Sequence, residues 1–269
     1  MPQTPAQLRD QAWAEVEDLV ELQLRPLGEL ALAALDLKPG DRVLEIGCGG
    51  GRTLKDMAQR IGPLGAVVGI DHSAAMAARA QALCSEIPQV QIICADAENH
   101  DFQTGAFSAA FSRFGVMFFQ NPVEAFANIR RSLPPGGRLA FVCWRSLTEN
   151  ELDLAPLMAA ASVLPSQLVE AAGHALPFSL AHRDTIETIL TVSGFSNVEI
   201  EPHDLDVSSG DLDSMLEVSL KVGSLGSFLR EHPDSAEAAR PLVQAMLRTK
   251  AISGVVYLKA AVWVVTATA

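Results

Sequence analysis

A glycine-rich segment and two isolated aspartates are the residues whose types and spacing indicate ligand chemistry. The segment reads Glu45-Ile46-Gly47-Cys48-Gly49-Gly50-Gly51 and follows a short run of strand-forming residues. Glycines at the tip of a strand let the backbone turn sharply and approach a ligand that a Cβ atom would repel. The amides that begin the next predicted helix stand just beyond this turn and can donate to the same ligand.

Each of the two aspartates follows a predicted strand. Asp71 stands 20 residues after Gly51, and a carboxylate there can accept both hydrogen bonds from a ribose diol. Asp96 follows the next strand and can accept from an adenine amino group, with the N–H of Ala97 reaching a ring nitrogen. Because the carboxyl ends of parallel strands meet at one edge of a sheet, the three loops are predicted to converge on one adenosyl ligand.

Two other enzyme classes fit the sequence less well. A dinucleotide site prefers the pattern Gly-x-Gly-x-x-Gly, and Arg52 stands where its third glycine belongs. This argues against a nucleotide-cofactor oxidoreductase, although that class stays open as an alternative. A hydrolase with a nucleophile elbow is disfavoured because the chain has no Gly-x-Ser-x-Gly segment.

An alternation of short strands and helices must position these residues. The patterns predict strands over 42–46, 66–70, 90–94, 107–112 and 138–144, and helices over 8–35, 53–60, 74–85 and 122–133. The first of these helical stretches reads as one or two helices. Ser73 is the predicted N-cap of its helix, and Asn121 caps the helix that Pro122 begins, with Glu124 three residues after the cap. Strands alternating with helices of this length predict βαβ units and a mainly parallel sheet.

The alternation of short strands and helices is interrupted after Trp144. The predicted divisions are N-terminal helices over 1–40, a ligand-binding core over 41–144, a lid insertion over 145–182, a continuation of the core over 183–207, a second helical insertion over 208–253 and a C-terminal core strand over 254–269. The continuation carries a helix over 183–192 and a strand over 198–205. Because both insertions are apolar, they are expected to form a lid over a small, partly hydrophobic acceptor.

These segments resemble the Rossmann-like (class I) family of S-adenosylmethionine-dependent methyltransferases, especially bacterial small-molecule members similar to the quinone-biosynthesis C-methyltransferases. The matching segments are Glu45–Gly51, Val68–Asp71, Ala95–Ala97, Phe111–Phe119, Leu133–Leu139 and Ser193–Phe195. The resemblance covers residues 13–144 with high specificity and residues 183–266 more loosely.

The resemblance implies an α/β fold with a seven-stranded, mostly parallel sheet, helices on both faces and an antiparallel last strand. It also implies S-adenosylmethionine as the cofactor. The residues it assigns to cofactor binding are Glu45, Gly47, Cys48, Gly49 and Gly51 at the methionine moiety, Asp71 at the ribose, His72 and Met76 beside the nucleoside, Asp96 and Ala97 at the adenine, and Ser112 with Arg113 at the amino group. Ser108 departs from the family, because many relatives carry Asp there, and we expect this to affect local structure more than cofactor binding.

Within this interpretation the catalytic residues stay unknown. A sulfonium is a strong methyl donor, so positioning is the protein's main task and a general base is needed only for some acceptors. His100, His174 and His182 are candidates for such a base, and Arg113 and Trp144 could orient an anionic or planar acceptor. O-, N- and C-methylation all stay open, as does use of the same fold and cofactor without methyl transfer, in a cyclase-like enzyme or a sensor.

Amino-directed methylation of nucleic acid or of protein glutamine is argued against by the sequence after the fourth strand. Those enzymes resemble one another in the pattern Asn/Asp-Pro-Pro-aromatic, whereas this chain reads Arg113-Phe114-Gly115-Val116. The net charge of -12 also disfavours a nucleic-acid partner, since phosphate binding needs a basic face.

Cysteine usage and the chain termini bear on location. Cys48, Cys84, Cys94 and Cys143 form no Cys-x-x-Cys pair, which predicts neither a metal site nor a disulfide framework and favours a cytoplasmic protein. Residues 1–10 do not read as a signal segment. The apolar run over 251–269 is interrupted by Gly254 and Lys259 and is expected to be a buried strand instead of a membrane span. The sequence leaves the oligomeric state open, a homodimer included.

Overall fold

The computed structural model describes residues 5–165 and 167–269. Its first half contains, in chain order, α1 (Pro5–Leu35), β1 (Arg42–Ile46), α2 (Arg52–Ile61), β2 (Ala66–Asp71), α3 (Ala74–Leu83), β3 (Val90–Cys94), β4 (Ala109–Arg113), α4 (Pro122–Ser132) and β5 (Arg138–Trp144). The second half contains α5 (Glu151–Ala160), α6 (Leu168–Gly173), α7 (Arg183–Val192), β6 (Ser196–Val207), α8 (Leu212–Lys221), α9 (Gly223–Glu231), α10 (Ala236–Arg248), β7 (Ala251–Ile252), β8 (Val255–Val256) and β9 (Leu258–Thr268).

Seven strands form one sheet in the order β3-β2-β1-β4-β5-β9-β6. The pairs β1–β2, β2–β3, β1–β4 and β4–β5 are parallel. The last strand runs against them: Gly136 donates its N–H to the carbonyl of Ala269 (2.9 Å), whereas Arg145, further along, donates to Ala261 (3.0 Å). The predicted seven-stranded, mostly parallel sheet with an antiparallel last strand is therefore confirmed.

The chain divides into two compact units. One contains residues 28–144, 179–202 and 263–269 and holds the glycine-rich turn. Phe111, Phe126 and Phe141 are among its largest fully buried side chains, and the rings of Phe126 and Phe141 lie 5.6 Å apart. Aromatic side chains that bury this much area contribute strongly to a core, so strands β4 and β5 are firmly packed against α4.

The other unit contains residues up to 27, 145–178 and 203–262. Its helices pack on one another: α10 contacts α5 and α8, and α9 contacts α8. Val16 and Val20 of α1 form a small core with Val218 of α8. Residues from both predicted insertions thus fold together in this unit. The first four residues of the predicted N-terminal segment and Ser166 of the predicted lid lie outside the described residues.

The first helix agrees with the sequence-based prediction, whereas the last strand differs from it. The leading stretch, predicted as one or two helices, is a single helix of 31 residues that contains Pro26. The C-terminal strand predicted over 254–269 begins later, as β9, and a short hairpin, β7–β8, precedes it. Ser253 and Gly254 have φ values of 52° and 87°, and two consecutive positive φ angles are what a two-residue hairpin turn requires.

Helix α4 begins where predicted, but its cap is different. Asn121 occupies the N-cap position without a capping hydrogen bond from its side chain. The carboxylate of Glu98 instead accepts the N–H groups of Gln120 (2.7 Å) and Asn121 (3.1 Å). The prediction of Asn121 as the capping side chain is therefore wrong, and the Glu98 carboxylate binds the two N–H groups that immediately precede the helix.

Candidate functional site

The glycine-rich turn joins β1 to α2 at the carboxyl edge of the sheet. Ile46 ends β1 in register with Ile70 of β2. The Ile70 carbonyl accepts two successive N–H groups, those of Gly47 (2.9 Å) and Cys48 (3.1 Å). Since one carbonyl receives both groups, the chain must leave the strand direction here and turn across the end of β2.

Two glycines of the turn could not be replaced without strain. Gly47 has φ 69°, and a Cβ atom there would lie 3.0 Å from the Cα of Gly115. Gly51 has φ 87°, and its Cβ would lie 2.9 Å from the Cα of Ala80 in α3. Both a left-handed backbone and a close approach to a second backbone therefore demand glycine at these positions.

Gly49 differs from its neighbours because its Cα faces open space. Its φ is 52°, yet a Cβ built on it would meet no heavy atom within 4 Å. The space beside Gly49 is thus open to a ligand, and nothing in the packing of the protein demands a glycine there.

Asp71 ends β2 and faces the glycine-rich turn. One carboxylate oxygen accepts the N–H of Gly49 (2.9 Å), and the other accepts the N–H of Ser73 (2.9 Å). The side chain is 10% exposed. Because a carboxylate offers about four lone-pair directions, these two hydrogen bonds leave acceptor capacity on both oxygens.

His72 and Met76 follow Asp71 at the start of α3. The His72 side chain is 63% exposed, and its Nδ1 lies 3.9 Å from an Asp71 carboxylate oxygen. Ser73 caps α3 as predicted, since its hydroxyl accepts the N–H of Met76 (3.4 Å). The Met76 side chain is half-buried. The start of α3 is therefore attached to the same carboxylate that reaches the glycine-rich turn.

A tight turn after β3 carries Asp96 and Ala97. The Asp96 side chain is exposed and accepts the N–H of Glu98 (2.9 Å), while Ala97 is buried. Ala95, which precedes the turn, donates its N–H to the carbonyl of Asp71 (3.0 Å). The turns after β2 and β3 are therefore directly hydrogen-bonded neighbours.

Ser112 lies at the end of β4 and is fully buried. Its hydroxyl donates to the carbonyl of Ile46 (2.9 Å) and accepts the N–H of Gly115 (3.2 Å). The side chain thus joins the ends of β1 and β4 and brings Gly115 against Gly47. Arg113, the next residue, packs against Gly28 of α1, where a Cβ atom would overlap with the Arg113 side chain.

The two ionisable side chains within the glycine-rich segment are buried. Glu45 lies inside β1 at 1% exposure, and Cys48 is 5% exposed. Burial raises the pKa of the Cys48 thiol, and the nearby carboxylates of Glu45 and Asp71 raise it further. The thiol is therefore neutral at physiological pH, so Cys48 acts as a small packing side chain and is a poor nucleophile.

The predicted candidate bases are scattered. His174 and His182 are exposed, at the end of α6 and just before α7. His100 is half-buried, with its ring 4.9 Å from that of Phe102. Nothing in this geometry singles out one of the three, so the catalytic residue stays unassigned.

Trp144, predicted to orient an acceptor, stacks on Phe114 at the ends of β5 and β4. The ring centroids lie 4.2 Å apart. Phe114 has φ 58°, which is unusual for a bulky residue. Ser108 lies away from these residues, at the amino end of β4, where its hydroxyl donates to Asp41 (2.8 Å).

Sequence reasoning missed three residues that shape this edge of the sheet. Gly115 packs on Gly47, Glu98 accepts N–H groups just before α4, and Asn128 donates from α4 to the turn that carries Asp96. Gly115 lies within the segment that carries the resemblance, which is the one signal that pointed to it. For Glu98 and Asn128 no local pattern exists, because their partners lie 22 to 31 residues away.

Comparison with known proteins shows which domain family this core is similar to. Residues 44–141 match the family described as "Methyltransferase domain". An uncharacterised 37.1 kDa protein of transposon TN4556 from Streptomyces fradiae is 34% identical over 48% of this chain and 38% of its own length. Aklanonic acid methyltransferase DauC from a Streptomyces species is 32% identical over 43% of this chain and 54% of its own length.

A quinone-related protein is similar to a comparable extent. The 2-phytyl-1,4-naphtoquinone methyltransferase of Thermosynechococcus vestitus is 31% identical over 42% of this chain and 51% of its own length. These alignments span about half or less of each relative.

Solved structures extend the likeness in fold to most of the chain. Phosphoethanolamine N-methyltransferase 2 of Haemonchus contortus, in complex with phosphomonomethylethanolamine and S-adenosylhomocysteine, matches 90% of this chain and 52% of its own with a TM-score of 0.57 at 20% identity. The [4+2]-cyclase SpnF matches 90% of this chain and 80% of its own with a TM-score of 0.54 at 21% identity.

The sheet order, the glycine-rich turn and the matched domain agree with one another. The segment that carries the family match begins inside β1 and ends inside β5, so it includes each of the three turns described above. Residues 44–141 of this chain therefore match a methyltransferase domain, and the fold around them resembles that of Rossmann-like (class I) S-adenosylmethionine-dependent methyltransferases.

Proposed function

We propose that this protein transfers the methyl group of S-adenosylmethionine to a small, partly hydrophobic organic acceptor. The observation that carries the proposal is the Asp71 carboxylate, which accepts the N–H of Gly49 and so faces the glycine-rich turn. A hydrogen-bond acceptor for a ribose and an open glycine backbone thus stand side by side. The family match over residues 44–141 supports the same cofactor.

The residues present fit the cofactor in three places. The open space beside Gly49 would accommodate the methionine moiety, and the lone pairs left on Asp71 would accept from the ribose hydroxyls. Asp96 and Ala97 would contact the adenine at the neighbouring turn. Glu45, Gly47, Cys48 and Gly51 would shape the turn, His72 and Met76 would flank the nucleoside, and the backbone of Ser112 and Arg113 would receive the amino group.

The chemistry of the bound cofactor is that of a sulfonium, which makes its methyl group reactive toward O, N and C nucleophiles. The protein then contributes position and exclusion of water. The rigid turn at Gly47 and Gly51, packed on Gly115 and α3, would hold one end of the ligand without reorganisation. The proposal covers O-, N- and C-methylation, with or without the assistance of a histidine.

Four further expectations from the sequence accompany this proposal. They are a cytoplasmic location, a lid built from the two insertions, the absence of a nucleic-acid partner, and a homodimer as one permitted state. Of the helices that the structure describes, none combines the length and apolar character needed to cross a bilayer.

Calorimetry tests the cofactor part of the proposal. The purified protein should bind S-adenosylmethionine and S-adenosylhomocysteine with micromolar or tighter affinity and should not bind NAD. Binding of NAD alone would favour the oxidoreductase alternative. No binding of either sulfur compound would overturn the proposal.

A second candidate is use of the same cofactor site without methyl transfer. The likeness in fold to a [4+2]-cyclase, SpnF, keeps this candidate under consideration. Incubation with a methyl-labelled donor and a metabolite extract separates the two. Label appearing in an extract compound supports methyl transfer, whereas tight cofactor binding with no label transferred to any fraction favours the second candidate.

A further inference from the structure

The side chain of Asn128 connects helix α4 to the turn that carries Asp96 and Ala97. Its amide nitrogen lies 2.8 Å from the carbonyl oxygen of His100, 3.2 Å from that of Ala97 and 3.5 Å from that of Glu98. Asn128 is 5% exposed. A buried amide that donates to a loop at this depth stabilises one loop conformation, because leaving those carbonyls without a donor would be costly.

Arg131 determines which way this amide points. It lies one turn further along α4, and its guanidinium donates to the Asn128 amide oxygen at 2.7 Å. A guanidinium only donates, so the oxygen must face Arg131 and the NH₂ group must face the turn. The orientation of Asn128 therefore follows from its neighbour and is not an arbitrary choice between amide rotamers.

Glu98 forms a second connection between the same two elements. Its carboxylate accepts the N–H groups of Gln120 (2.7 Å) and Asn121 (3.1 Å) at the start of α4. A carboxylate is favoured at a helix N-terminus by the unsatisfied N–H groups and the helix dipole. The turn thus accepts hydrogen bonds from the middle of α4 and also from the two residues that immediately precede it.

These two connections hold the turn that carries Asp96 and Ala97, the two residues assigned to the adenine. β3 is the edge strand of the sheet, and the Asp96 side chain is exposed, so strand pairing alone gives this turn little support. We propose that Asn128 and Glu98 are positioning residues that hold the turn in the geometry that recognises the adenine base. This inference rests on the proposed function, since it presumes an adenosyl ligand at Asp96 and Ala97.

A turn that is already ordered loses less conformational entropy when the ligand binds. The base is recognised by its amino group, which donates to the Asp96 carboxylate, and a base that carries a carbonyl there is rejected. A turn that is held less firmly should therefore bind an adenine-containing ligand more weakly. It should also discriminate less between adenine and a base with a carbonyl in place of the amino group. A change that merely lowers stability elsewhere in the core leaves that discrimination unchanged.

The test compares S-adenosylhomocysteine with S-inosylhomocysteine, in which a carbonyl replaces the adenine amino group, by calorimetry. The wild-type protein should prefer the adenosyl compound by a factor on the order of ten or more, as expected for one hydrogen bond lost and an acceptor placed against a carboxylate. In Asn128→Leu the affinity for the adenosyl compound should fall about tenfold, with a much smaller change for the inosyl compound. The ratio then approaches one.

Leucine is preferred to alanine at this position. Asn128 borders a solvent-open cleft of about 410 Å³, and water entering beside a small side chain would replace the lost amide. Glu98→Gln is the second variant, because it keeps the shape of the side chain and removes its charge at the start of α4. Glu98→Gln should reduce the preference for the adenosyl compound at least threefold. If Asn128→Leu does not fold, the result for Glu98→Gln alone tests the inference.

Ser132→Ala is the matched control. Ser132 is fully buried in the same helix, and its hydroxyl donates to the carbonyl of Ile129 (2.7 Å) within α4. This variant should lower the melting temperature and keep the wild-type base preference. A wild-type preference retained in both Asn128→Leu and Glu98→Gln would overturn the inference alone. A wild-type protein that binds neither compound would overturn the proposed function as well.

Discussion

The Asp71 carboxylate accepts the backbone N–H of Gly49 at 2.9 Å, which joins the end of β2 to the turn after β1. The same carboxylate accepts the N–H of Ser73, the N-cap of α3. One buried side chain therefore connects three elements at the carboxyl edge of the sheet. In the proposed function it does so while presenting its remaining lone pairs to a ribose, so that the binding site is built before the ligand arrives.

Replacement of Asp71 should separate cofactor binding from stability. Asp71→Asn keeps the size of the side chain but removes the charge and one acceptor, and hydrogen bonds to a charged group contribute about 1.5–3 kcal/mol each. The affinity for S-adenosylhomocysteine should fall by a factor on the order of 100, measured by calorimetry.

The control for this variant is Asp41→Asn. Both carboxylate side chains are 10% exposed, but Asp41 precedes β1 and so lies at the opposite end of that strand. Asp41→Asn should lower the melting temperature and leave the affinity for S-adenosylhomocysteine within about twofold of wild type. Equal losses of affinity in the two variants would contradict the assignment of Asp71 to the ribose.

Asp41 should also contribute to the pH dependence of stability. Burial opposes its ionisation, but hydrogen bonds from the Lys38 N–H, the Ser108 hydroxyl and the Arg138 guanidinium outweigh burial and hold the pKa of this carboxyl below its usual value. A folded-state pKa below the unfolded one adds stability above the unfolded value, and this stability is lost as the pH falls through the folded one.

Urea unfolding at a series of pH values measures this contribution. The free energy of unfolding of the wild-type protein should fall as the pH decreases below about 4, and the fall should be shallower in Asp41→Asn. Identical slopes in the two proteins would show that Asp41 is not a source of acid sensitivity.

The glycines of the turn should differ in what they tolerate. Gly51→Ala combines φ 87° with a Cβ 2.9 Å from the Cα of Ala80, so backbone strain and overpacking add to about 2–4 kcal/mol of lost unfolding free energy. Gly49→Ala incurs the strain alone, about 1 kcal/mol, because its Cβ meets nothing within 4 Å. Chemical denaturation should rank the two variants in this order, and the reverse ranking would contradict the packing of the turn on α3.

Asp153, in the helical unit, should show the opposite pH dependence. Its two carboxylate oxygens accept the N–H and the hydroxyl of Ser224, both at 2.7 Å, at the start of α9. Burial raises the pKa of Asp153, and the hydrogen bonds from Ser224 oppose that shift without overcoming it. Its contribution to stability is therefore full below the unfolded pKa and is lost as the pH rises through the higher folded one.

Hydrogen exchange of the α9 amides, corrected for the intrinsic rate at each pH, measures the effect locally. Protection in the wild-type protein should decline as the pH rises above about 4. Asp153→Asn retains an acceptor for the Ser224 N–H and should show no such decline. A decline of the same size in the variant would assign it to another group.

Much of the site could be predicted because its signals are local. The strands over 42–46, 90–94 and 138–144 were predicted to the residue, since short apolar runs bounded by turn residues leave little freedom in where a strand begins and ends. Ser73 caps α3 as expected, because the capping contact spans only three residues. The hydrogen bond between Asp71 and Gly49 agrees with the predicted convergence of neighbouring loops.

Other features could not be predicted because they depend on contacts between distant residues. The Asn121 side chain makes no capping hydrogen bond, although the local sequence fits a capping asparagine well, and the distant Glu98 carboxylate accepts the N–H of Asn121 instead. The hairpin at Ser253 and Gly254 interrupts what looks like one continuous apolar strand, since apolar patterning does not report backbone φ angles.

By itself, the sequence determined the order of the elements, the position of the glycine-rich turn and the two aspartates beside it, because hydrophobic periodicity and glycine spacing act over a few residues. Only the tertiary structure decided how those positions are held. The Ser112 hydroxyl meets the Ile46 carbonyl across 66 residues, and Asn128 reaches the Ala97 carbonyl across 31. Such contacts form only once the strands have paired and α4 has packed, and no local pattern of residue types records them.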